Sequence, residues 1–400
     1  MSDVKVLDLT HYITGPYCTK MLADYGADVL KIERPDGGDA ARRLGPFQND
    51  EPHPENSAVF FFLNCNKKSI TLNLKTALGK KLFLDLVKDV DIVVESFKPG
   101  TMASFCLDYE TLTKVNPKLV MTSISNFGQY GPYRDFKISD LILNAMGGDM
   151  YATGIYEREP IKHGVNVALY QAGSSAVVAT MGAYYGAKYL GTAGQHVDVS
   201  LMETLEGGID RRMTNLIAYQ YCGHQHIRIS ESGMGFPSGV TPCKDGYFNI
   251  LGGFAWWPRI VQMIGDPEVA NPPWSTPEAQ ADEKLKEEFE SRWWFPWVLS
   301  RTKLECWRDA QAAGVLSAPL NTTEDLMKDP HLKERKFFVQ VDHPVAGKIT
   351  YPGAPFIMGE TPWKVRRPAP LLGEHNEEIY CKVLGYTKEN LVVLRQQGVI

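Results

Sequence analysis

The sequence predicts an α/β fold: a large domain built on a parallel sheet and a smaller second domain. Three observations carry this prediction. Short apolar runs alternate with helical segments through the first third of the chain, residues 171–190 are rich in small side chains, and the composition changes after residue 225. The 400 residues also exceed the usual length of one domain, which favours two hydrophobic cores.

The first third of the chain predicts strands and helices in alternation. Pro16 suits the first turn of a helix, where its missing N–H is not needed. Alternation at this spacing indicates parallel strands joined by right-handed crossovers. The predicted elements are a strand at 5–10, a turn at 11–16, a helix to about 26, a strand at 27–33, a helix at 77–88, and strands at 91–95 and 119–124.

Ligands of such sheets collect at the carboxyl ends of the strands. The turn at 11–16, the segment after Glu33 and the turn at 96–100 each follow a predicted strand. We therefore expect these three segments to lie at one edge of the sheet and to form the binding site.

Later segments differ in composition. The small residues of 171–190 predict a closely packed, buried helix. Seven of the eight tryptophans fall between 256 and 307, and packing of a second lobe explains them better than a pocket for an aromatic acid. Residues 278–292 predict a charged amphipathic helix, and 337–358 predict extended segments before a final helix or two.

A loop rich in glycine at 232–239 precedes a predicted strand–turn–strand at 240–250. Its residues Gly233, Met234 and Gly235 have two interpretations: an irregular connection, or a mobile flap whose backbone approaches a reacting group. Composition favours neither interpretation.

Charge and cysteine content exclude several classes of function. The 42 basic and 47 acidic side chains leave a net charge of −5, which gives no electrostatic case for binding nucleic acid. We find no apolar run long enough to span a membrane and no export signal. The seven cysteines are scattered and form no CxxC pair, which favours a cytoplasmic location. The spacing of Cys222-Gly-His224-Gln-His226 matches no common zinc site, so we expect no metal.

Seven motifs are spread through nearly the whole chain. They are Val6-Leu-Asp-Leu-Thr-His11, Gly15-Pro16, Gly26-Ala-Asp-Val-Leu-Lys-Ile-Glu-Arg34, Asn64-Cys-Asn-Lys-Lys-Ser69, Glu95-Ser-Phe-Lys-Pro-Gly100, Gly194-Gln-His-Val-Asp-Val-Ser200 and Pro368-Ala-Pro-Leu-Leu-Gly-Glu-His375. These motifs resemble those of the class III (family III) CoA-transferases, a group that includes the α-methylacyl-CoA racemases. The resemblance implies a Rossmann-like large domain at 1–220 and 335–400, a small α+β domain at 225–330, and two chains interlocked as rings. It also implies coenzyme A or an acyl-CoA as substrate, with no permanently bound cofactor.

The same resemblance implies a set of contacts with CoA. Basic side chains in such a set would bind the phosphates, and apolar ones would border the adenine. Ser104 stands where the family often has an arginine, so one phosphate contact is missing. The implied contacts are Tyr12, Ile13, Arg34, Leu72, Lys75, Phe97 and Lys137.

The nucleophile of the family is an aspartate that attacks the thioester of the acyl donor. The position that corresponds to it here is Leu169, which has no carboxylate to form an acyl intermediate. The racemases also need a histidine before an aspartate, whereas here Ser139 precedes Asp140. The resemblance therefore implies that the isolated chain neither transfers CoA nor racemises.

The chain is most similar to the non-nucleophilic subunits of heteromeric transferases, such as those that move CoA from succinyl-CoA to benzylsuccinate in toluene degradation. The resemblance implies a homologous partner subunit that carries the aspartate, with the 233–235 flap reaching the partner's site. Two alternatives stay open. The chain is a regulatory protein that binds acyl-CoA, or it is a self-sufficient transferase with a relocated carboxylate, the candidates being Asp140, Asp149, Asp198 and Glu203.

Overall fold

The computed structural model of the chain describes residues 1–207, 210–223, 228 and 235–400. Within these residues, a six-stranded sheet forms the centre of the larger part of the molecule. The strands of this sheet are β1 Lys5–Leu9, β2 Asp28–Glu33, β3 Lys68–Thr71, β4 Ile92–Glu95, β5 Val120–Ser125 and β6 His196–Ser200. They lie in the order β3-β2-β1-β4-β5-β6, and all neighbours are parallel.

Helices accompany the sheet along the chain. Many begin at a side chain that accepts a hydrogen bond from the first helical turn, as Thr76 does from the N–H of Gly79. The helices are α1 Thr14–Asp24, α2 Ala58–Asn64, α3 Ala77–Val87, α4 Thr101–Ser104, α5 Tyr109–Val115, α6 Asp140–Met146, α7 Val167–Tyr189, α8 Leu201–Gly207 and α9 Asp210–Cys222, with 3-10 turns at Ala40–Arg43, Gln48–Asp50 and Met150–Ala152.

Both faces of the sheet are buried. Successive side chains of a strand point to opposite faces, and each face packs against its own apolar cluster. Leu7 and Leu30 pack in one cluster with Phe83 of α3. Their neighbours Val6 and Val29 pack in a second cluster with residues of α1 and α7. This alternation explains why neighbouring apolar residues of β1 and β2 are buried on both faces of the sheet.

The strands predicted near 5–10, 27–33, 91–95 and 119–124 are confirmed, as are the helices near 16–26 and 77–88. The predicted closely packed, buried helix at 171–190 is wrong in part. Some of its small residues, such as Ala172 and Ala176, are buried, but others are exposed, and Val178 is 73% exposed and Tyr185 56% exposed. The small residues lie on more than one side of the helix, so the composition alone does not reveal which side is open.

The C-terminal residues rejoin the sheet. The hairpin β10 Phe338–His343 and β11 Gly347–Pro352 confirms the extended segments predicted at 337–358. A π-helix at Glu378–Val383 and α16 Lys388–Gln396 follow. The hydroxyl of Tyr380 donates to the carbonyl of Thr71 at 2.7 Å, which ties the end of the chain to β3.

The chain divides into two compact units. The first contains Met1–Met150, Lys162–Gln225 and Lys336–Ile400, and the second contains Tyr151–Ile161 and His226–Arg335. The predicted bounds of the two domains, 1–220 with 335–400 and 225–330, stay a prediction.

The second unit holds a three-stranded antiparallel sheet and several helices. The strands are β7 Gly239–Cys243, β8 Gly246–Leu251 and β9 Leu316–Pro319. The hairpin predicted at 240–250 is thus confirmed. The helices are α10 Trp257–Ile264, α11 Glu283–Phe289, α12 Phe295–Leu299, α13 Lys303–Ala312, α14 Thr323–Lys328 and α15 Pro330–Glu334, with 3-10 turns at Phe254–Trp256, Pro267–Ala270 and Glu278–Ala281 and a π-helix at Glu290–Trp294.

Tryptophan packing forms the core of the second unit. Trp257, Trp274, Trp293, Trp294 and Trp297 are all buried in one cluster, as the packing interpretation predicts.

The helix predicted at 278–292 is interrupted. The side chain of Asp282 accepts hydrogen bonds from the N–H groups of Lys284 and Leu285, which begins α11 there. A 3-10 turn precedes this cap.

Candidate functional site

A cavity of about 700 Å³ lies at the carboxyl ends of the central strands. The sheet order changes direction between β1 and β4, and ligands of open α/β sheets bind at such a switch point. The cavity is lined by residues 11–15 after β1, 96–99 after β4, 124–126 at the end of β5, 134–140, and by Leu143, Leu169 and Leu201. The turns at 11–16 and 96–100 therefore lie together, as predicted.

The turn after β1 is held from two sides. The N–H of His11 donates to the hydroxyl of Ser96 at 3.0 Å, and the N–H of Tyr12 donates to a carboxylate oxygen of Asp39 at 3.0 Å. Tyr12 adopts a left-handed conformation with φ of 66°, which is rare for a residue with a side chain. These two bonds fix the backbone that borders the cavity.

Buried charges support this turn from below. The carboxylate of Asp39 pairs with Lys31 at 2.8 Å and lies 3.6 Å from the ring of His11. Lys67 pairs with Asp8 at 2.9 Å. Burial alone would raise the pKa of Asp8, but Lys31 and Lys67 outweigh it and lower that pKa to about 2. Burial lowers the pKa of Lys67 to about 8, although Asp8 opposes the shift.

Leu169 and Asp140 both line the cavity. Leu169 is partly buried and packs against the apolar cluster beneath α7. The carboxylate of Asp140 forms an ion pair with Lys162 at 2.7 Å. Among the described lining residues, only Asp140 and Asp135 bring a carboxylate to this cavity, and Asp135 is exposed, 3.6 Å from Lys98.

Glu95 ends β4 directly beneath the turn that borders the cavity. Its carboxylate accepts the N–H of Phe97 at 2.7 Å and is almost fully buried. Burial raises the pKa of Glu95 to about 7, because the hydrogen bonds from Ser123 and Phe97 compensate only in part.

The structure brings some of the predicted CoA contacts together and separates others. Tyr12, Ile13, Phe97 and Lys137 line the cavity with Leu169. Outside the cavity lining are the predicted contacts Arg34, Leu72 and Lys75. Arg34 and Lys75 are exposed beyond β2 and β3, and the Leu72 side chain is buried in the core.

Two of the predicted flap residues, Gly233 and Met234, lie outside the described residues. Gly235 belongs to the second unit, where it closely approaches another glycine. A Cβ atom at Gly235 would lie 2.9 Å from the Cα of Gly253. A glycine at 235 is therefore explained by packing within that unit.

The other candidate carboxylates lie away from the cavity lining. Asp149 is buried 3.4 Å from the ring of His163, and Asp198 accepts the N–H of Gln129 at 2.9 Å. Glu203 is exposed. None of these three has a place in the described cavity wall.

Of the possible metal ligands in the C-x-H-x-H segment, the structure describes only Cys222. Cys222 is exposed, and His224 and His226 lie outside the described residues. No cluster of three histidine, cysteine or acidic side chains occurs in the part of the chain that is described. In that same part, no helix is long and apolar enough to cross a membrane.

Sequence reasoning did not select His11, Lys98 or Arg134, although all three line the cavity. The signal for His11 and Lys98 was available, since each lies in a turn directly after a predicted strand. Arg134 lies in a segment without periodic pattern, so only the folded chain reveals its position.

A family model described as CoA-transferase family III matches residues 1–376. The chain belongs to this family. The architecture agrees: a CaiB/BaiF family protein from Brucella suis superposes with a TM-score of 0.83 at 30% identity, covering 95% of this chain and 98% of that one. A second solved structure, Rv3272 from Mycobacterium tuberculosis, shares the fold at 24% identity and a TM-score of 0.75, with 94% of this chain and 98% of that one covered.

Relatives in CoA-transferase family III align along their whole length. A formyl-CoA:oxalate CoA-transferase of Streptomyces avermitilis is 32% identical, covering 100% of this chain and 99% of the relative. A succinyl-CoA–D-citramalate CoA-transferase of Chloroflexus aurantiacus is 33% identical, covering 100% of this chain and 98% of the relative. A succinate–glutarate CoA-transferase of Agrobacterium fabrum is 33% identical, covering 96% of this chain and 95% of the relative. These relatives support a transferase that moves CoA between an acyl-CoA and an acid.

Proposed function

We propose that this chain is the non-nucleophilic subunit of a heteromeric CoA-transferase. The observation that carries the proposal is Leu169, which lines the cavity at the position where the family resemblance implies the nucleophilic aspartate. A leucine side chain cannot attack a thioester, so the acyl intermediate must form on a homologous subunit. This chain would contribute a CoA site, with Tyr12, Ile13, Phe97 and Lys137 in the cavity and Arg34, Leu72 and Lys75 at the same edge of the sheet.

Exposed apolar side chains support a partner subunit. On α7, Val178, Tyr185 and Tyr189 are more than half exposed, and Tyr221 on α9 is 87% exposed. Apolar surface of this extent on two helices is typical of surfaces that a protein covers on assembly. We propose that a homologous chain covers them in an interlocked dimer.

For the substrates we propose succinyl-CoA as donor and benzylsuccinate as acceptor. Succinate or succinyl-CoA occurs in the names of two of the relatives above, which supports the donor. The acceptor rests on the resemblance to the heteromeric transferases of toluene degradation. The apolar residues Leu143, Leu169 and Leu201 give the cavity a wall that suits an acid with a hydrocarbon group.

The decisive experiment compares the chain alone with the chain co-expressed with a homologue that carries the aspartate. We expect no CoA transfer from succinyl-CoA to benzylsuccinate by the purified chain, and transfer by the copurified pair. Turnover by the isolated chain would refute the heteromer. Binding of CoA by the chain, with no copurifying partner and no transfer, would instead identify a regulatory acyl-CoA-binding protein.

One observation favours a second candidate function, the self-sufficient transferase. Asp140 lies in the same cavity as Leu169 and is held by Lys162. If its carboxylate attacked the donor, the thioester C–S bond would break, CoA thiolate would leave, and an acyl anhydride would form on Asp140. After incubation with succinyl-CoA, the intact mass of the protein would then rise by a hydroxylamine-sensitive succinyl group, and Asp140→Asn would abolish that increase.

A further inference from the structure

Arg134 is a partly buried cation whose donors are not all satisfied. It lines the cavity, and its Nε atom is buried without a hydrogen-bond acceptor among the described residues. A buried donor without an acceptor is unfavourable unless a ligand supplies one. A Cβ atom on Gly100 would lie 3.0 Å from a terminal nitrogen of Arg134, so the glycine leaves room for the guanidinium beside the turn after β4.

The remaining charges of the cavity wall are paired. Lys98 lies 3.6 Å from Asp135, and Asp140 is paired with Lys162. Arg134 and Lys137 form no ion pair within the described part of the chain. Two positive charges are therefore left for an anion that enters from solvent.

We propose that Arg134 binds a phosphate group of CoA, an inference that rests on the proposed CoA site. A guanidinium matches the geometry of phosphate with two parallel hydrogen bonds. Two uncompensated cations on one wall suit a doubly charged phosphate better than a single carboxylate. Ser104, at the end of the short helix α4 that follows Gly100, brings no charge of its own.

The test is isothermal titration of the full-length protein with CoA. We expect Arg134→Gln to weaken binding about tenfold to a hundredfold, the loss of one charge-assisted contact. Arg134→Lys retains the charge but loses the paired geometry, so we expect an intermediate affinity. Arg395→Gln, which removes an exposed arginine of α16 outside the cavity lining, is the matched control and should bind like the wild type.

A second ligand, 3′-dephospho-CoA, identifies the phosphate. If Arg134→Gln weakens CoA but not dephospho-CoA, the contact is with the 3′-phosphate; if it weakens both equally, the contact is with the diphosphate. Either result supports the proposal. Lys137→Gln changes an exposed side chain of the same cavity wall and supplies an independent variant should Arg134→Gln fail to fold. We expect it to weaken CoA binding as well.

Unchanged CoA affinity in both Arg134→Gln and Arg134→Lys would overturn the inference while leaving the CoA site intact. Weaker binding of succinate with unchanged binding of CoA would also overturn it, because Arg134 would then recognise the acid. If the wild type itself does not bind CoA, the proposed function fails first, and the two failures are thereby distinguished.

Discussion

In the proposed function, leucine at position 169 leaves the cavity wall without a nucleophile. Its neighbours are suited to bind a substrate, since Tyr12, Phe97 and Lys137 share the same cavity. An aspartate at 169 would place a carboxylate in that wall, which Asp140 also lines. We therefore expect a change at this residue to affect catalysis more than binding.

We predict that Leu169→Asp acquires the ability to accept an acyl group. After incubation with succinyl-CoA, the variant should show a hydroxylamine-sensitive mass increase that the wild type lacks, because a carboxylate can attack the thioester. The control is Leu169→Asn, because asparagine has the shape of aspartate but no nucleophilic carboxylate. No adduct on Leu169→Asp, despite normal CoA binding, would mean that position 169 is not aligned with the thioester.

Glu95 provides a prediction about pH. Its folded pKa of about 7 lies above its usual value of 4.5, so the folded state holds the proton more tightly. Its contribution to stability is therefore complete below about pH 4.5 and is lost as the pH rises through 7. The shift corresponds to a loss of about 3 kcal/mol.

We predict that Glu95→Gln removes this dependence, since the amide keeps an acceptor for the N–H of Phe97. In urea unfolding, the free energy of unfolding of the variant should rise relative to the wild type by about 3 kcal/mol between pH 4.5 and 8. Glu110→Gln, at an exposed glutamate of α5, should follow the wild type at every pH. Parallel profiles for Glu95→Gln and wild type would contradict the buried-acid account.

At the scale of single residues, the sequence predicts positions that follow strands better than positions in loops. Tyr12 and Phe97 come directly after apolar runs, so sheet geometry alone places them at the binding edge. Lys137 came only from the family resemblance, and Arg134, three residues earlier, was missed. The importance of Arg134 depends on its position beside Gly100 and on the lack of an ion pair for its guanidinium among the described residues. Both are properties of the folded chain.

At the scale of elements, the packing of α7 against α1 depends on one glycine. A Cβ atom at Gly173 would lie 2.7 Å from the carbonyl oxygen of Thr14 and 3.0 Å from the ring of Tyr17. Thr14 lines the cavity, so this helix contact also supports the site.

We predict that Gly173→Ala destabilises the protein by about 1–3 kcal/mol, the usual cost of overpacking, and weakens CoA binding. The higher helix propensity of alanine acts in the opposite direction and stabilises the variant. Ala179→Gly, at an exposed position of the same helix, measures propensity alone and should cost about 1 kcal/mol. Thermal and urea unfolding compare the variants. A gain in stability for Gly173→Ala would show that α1 moves aside without cost.

Two of the strands that the sequence does not predict are short and polar. Lys68-Ser-Ile-Thr71 forms β3 and His196-Val-Asp-Val-Ser200 forms β6, the two outer strands of the sheet. Neither has enough apolar residues to be recognised as a strand. Pairing with β2 and β5 decides their conformation, and such pairing is a tertiary contact.

At the scale of the whole molecule, the sequence indicates two cores. It does not indicate every segment that belongs to each core. The tryptophans predict the second core correctly. Tyr151–Ile161, however, groups with residues 226–335, although the surrounding chain belongs to the first unit. Contacts between distant parts of the chain decide this, and local composition carries no trace of them.

The open face of α7 leads to a prediction about assembly. In the single chain, Val178 and Tyr185 lie on the outer side of a helix whose inner side is already packed. Covering these apolar side chains with a partner is favourable, because it removes apolar surface from water. When co-expressed with the homologous subunit, the wild type should therefore form a complex of about twice the single-chain mass of 44.7 kDa in light scattering.

We predict that Val178→Glu blocks this assembly, because the interface would bury an unpaired charge. Its mass should fall to 44.7 kDa, with an unchanged circular dichroism spectrum. Ala77→Glu adds the same charge at the exposed start of α3 and should assemble normally. A Val178→Glu variant that still assembles would place the partner surface elsewhere. A wild type that stays monomeric in the presence of the homologue would instead favour the regulatory acyl-CoA-binding alternative, because no partner would bring an aspartate to the site.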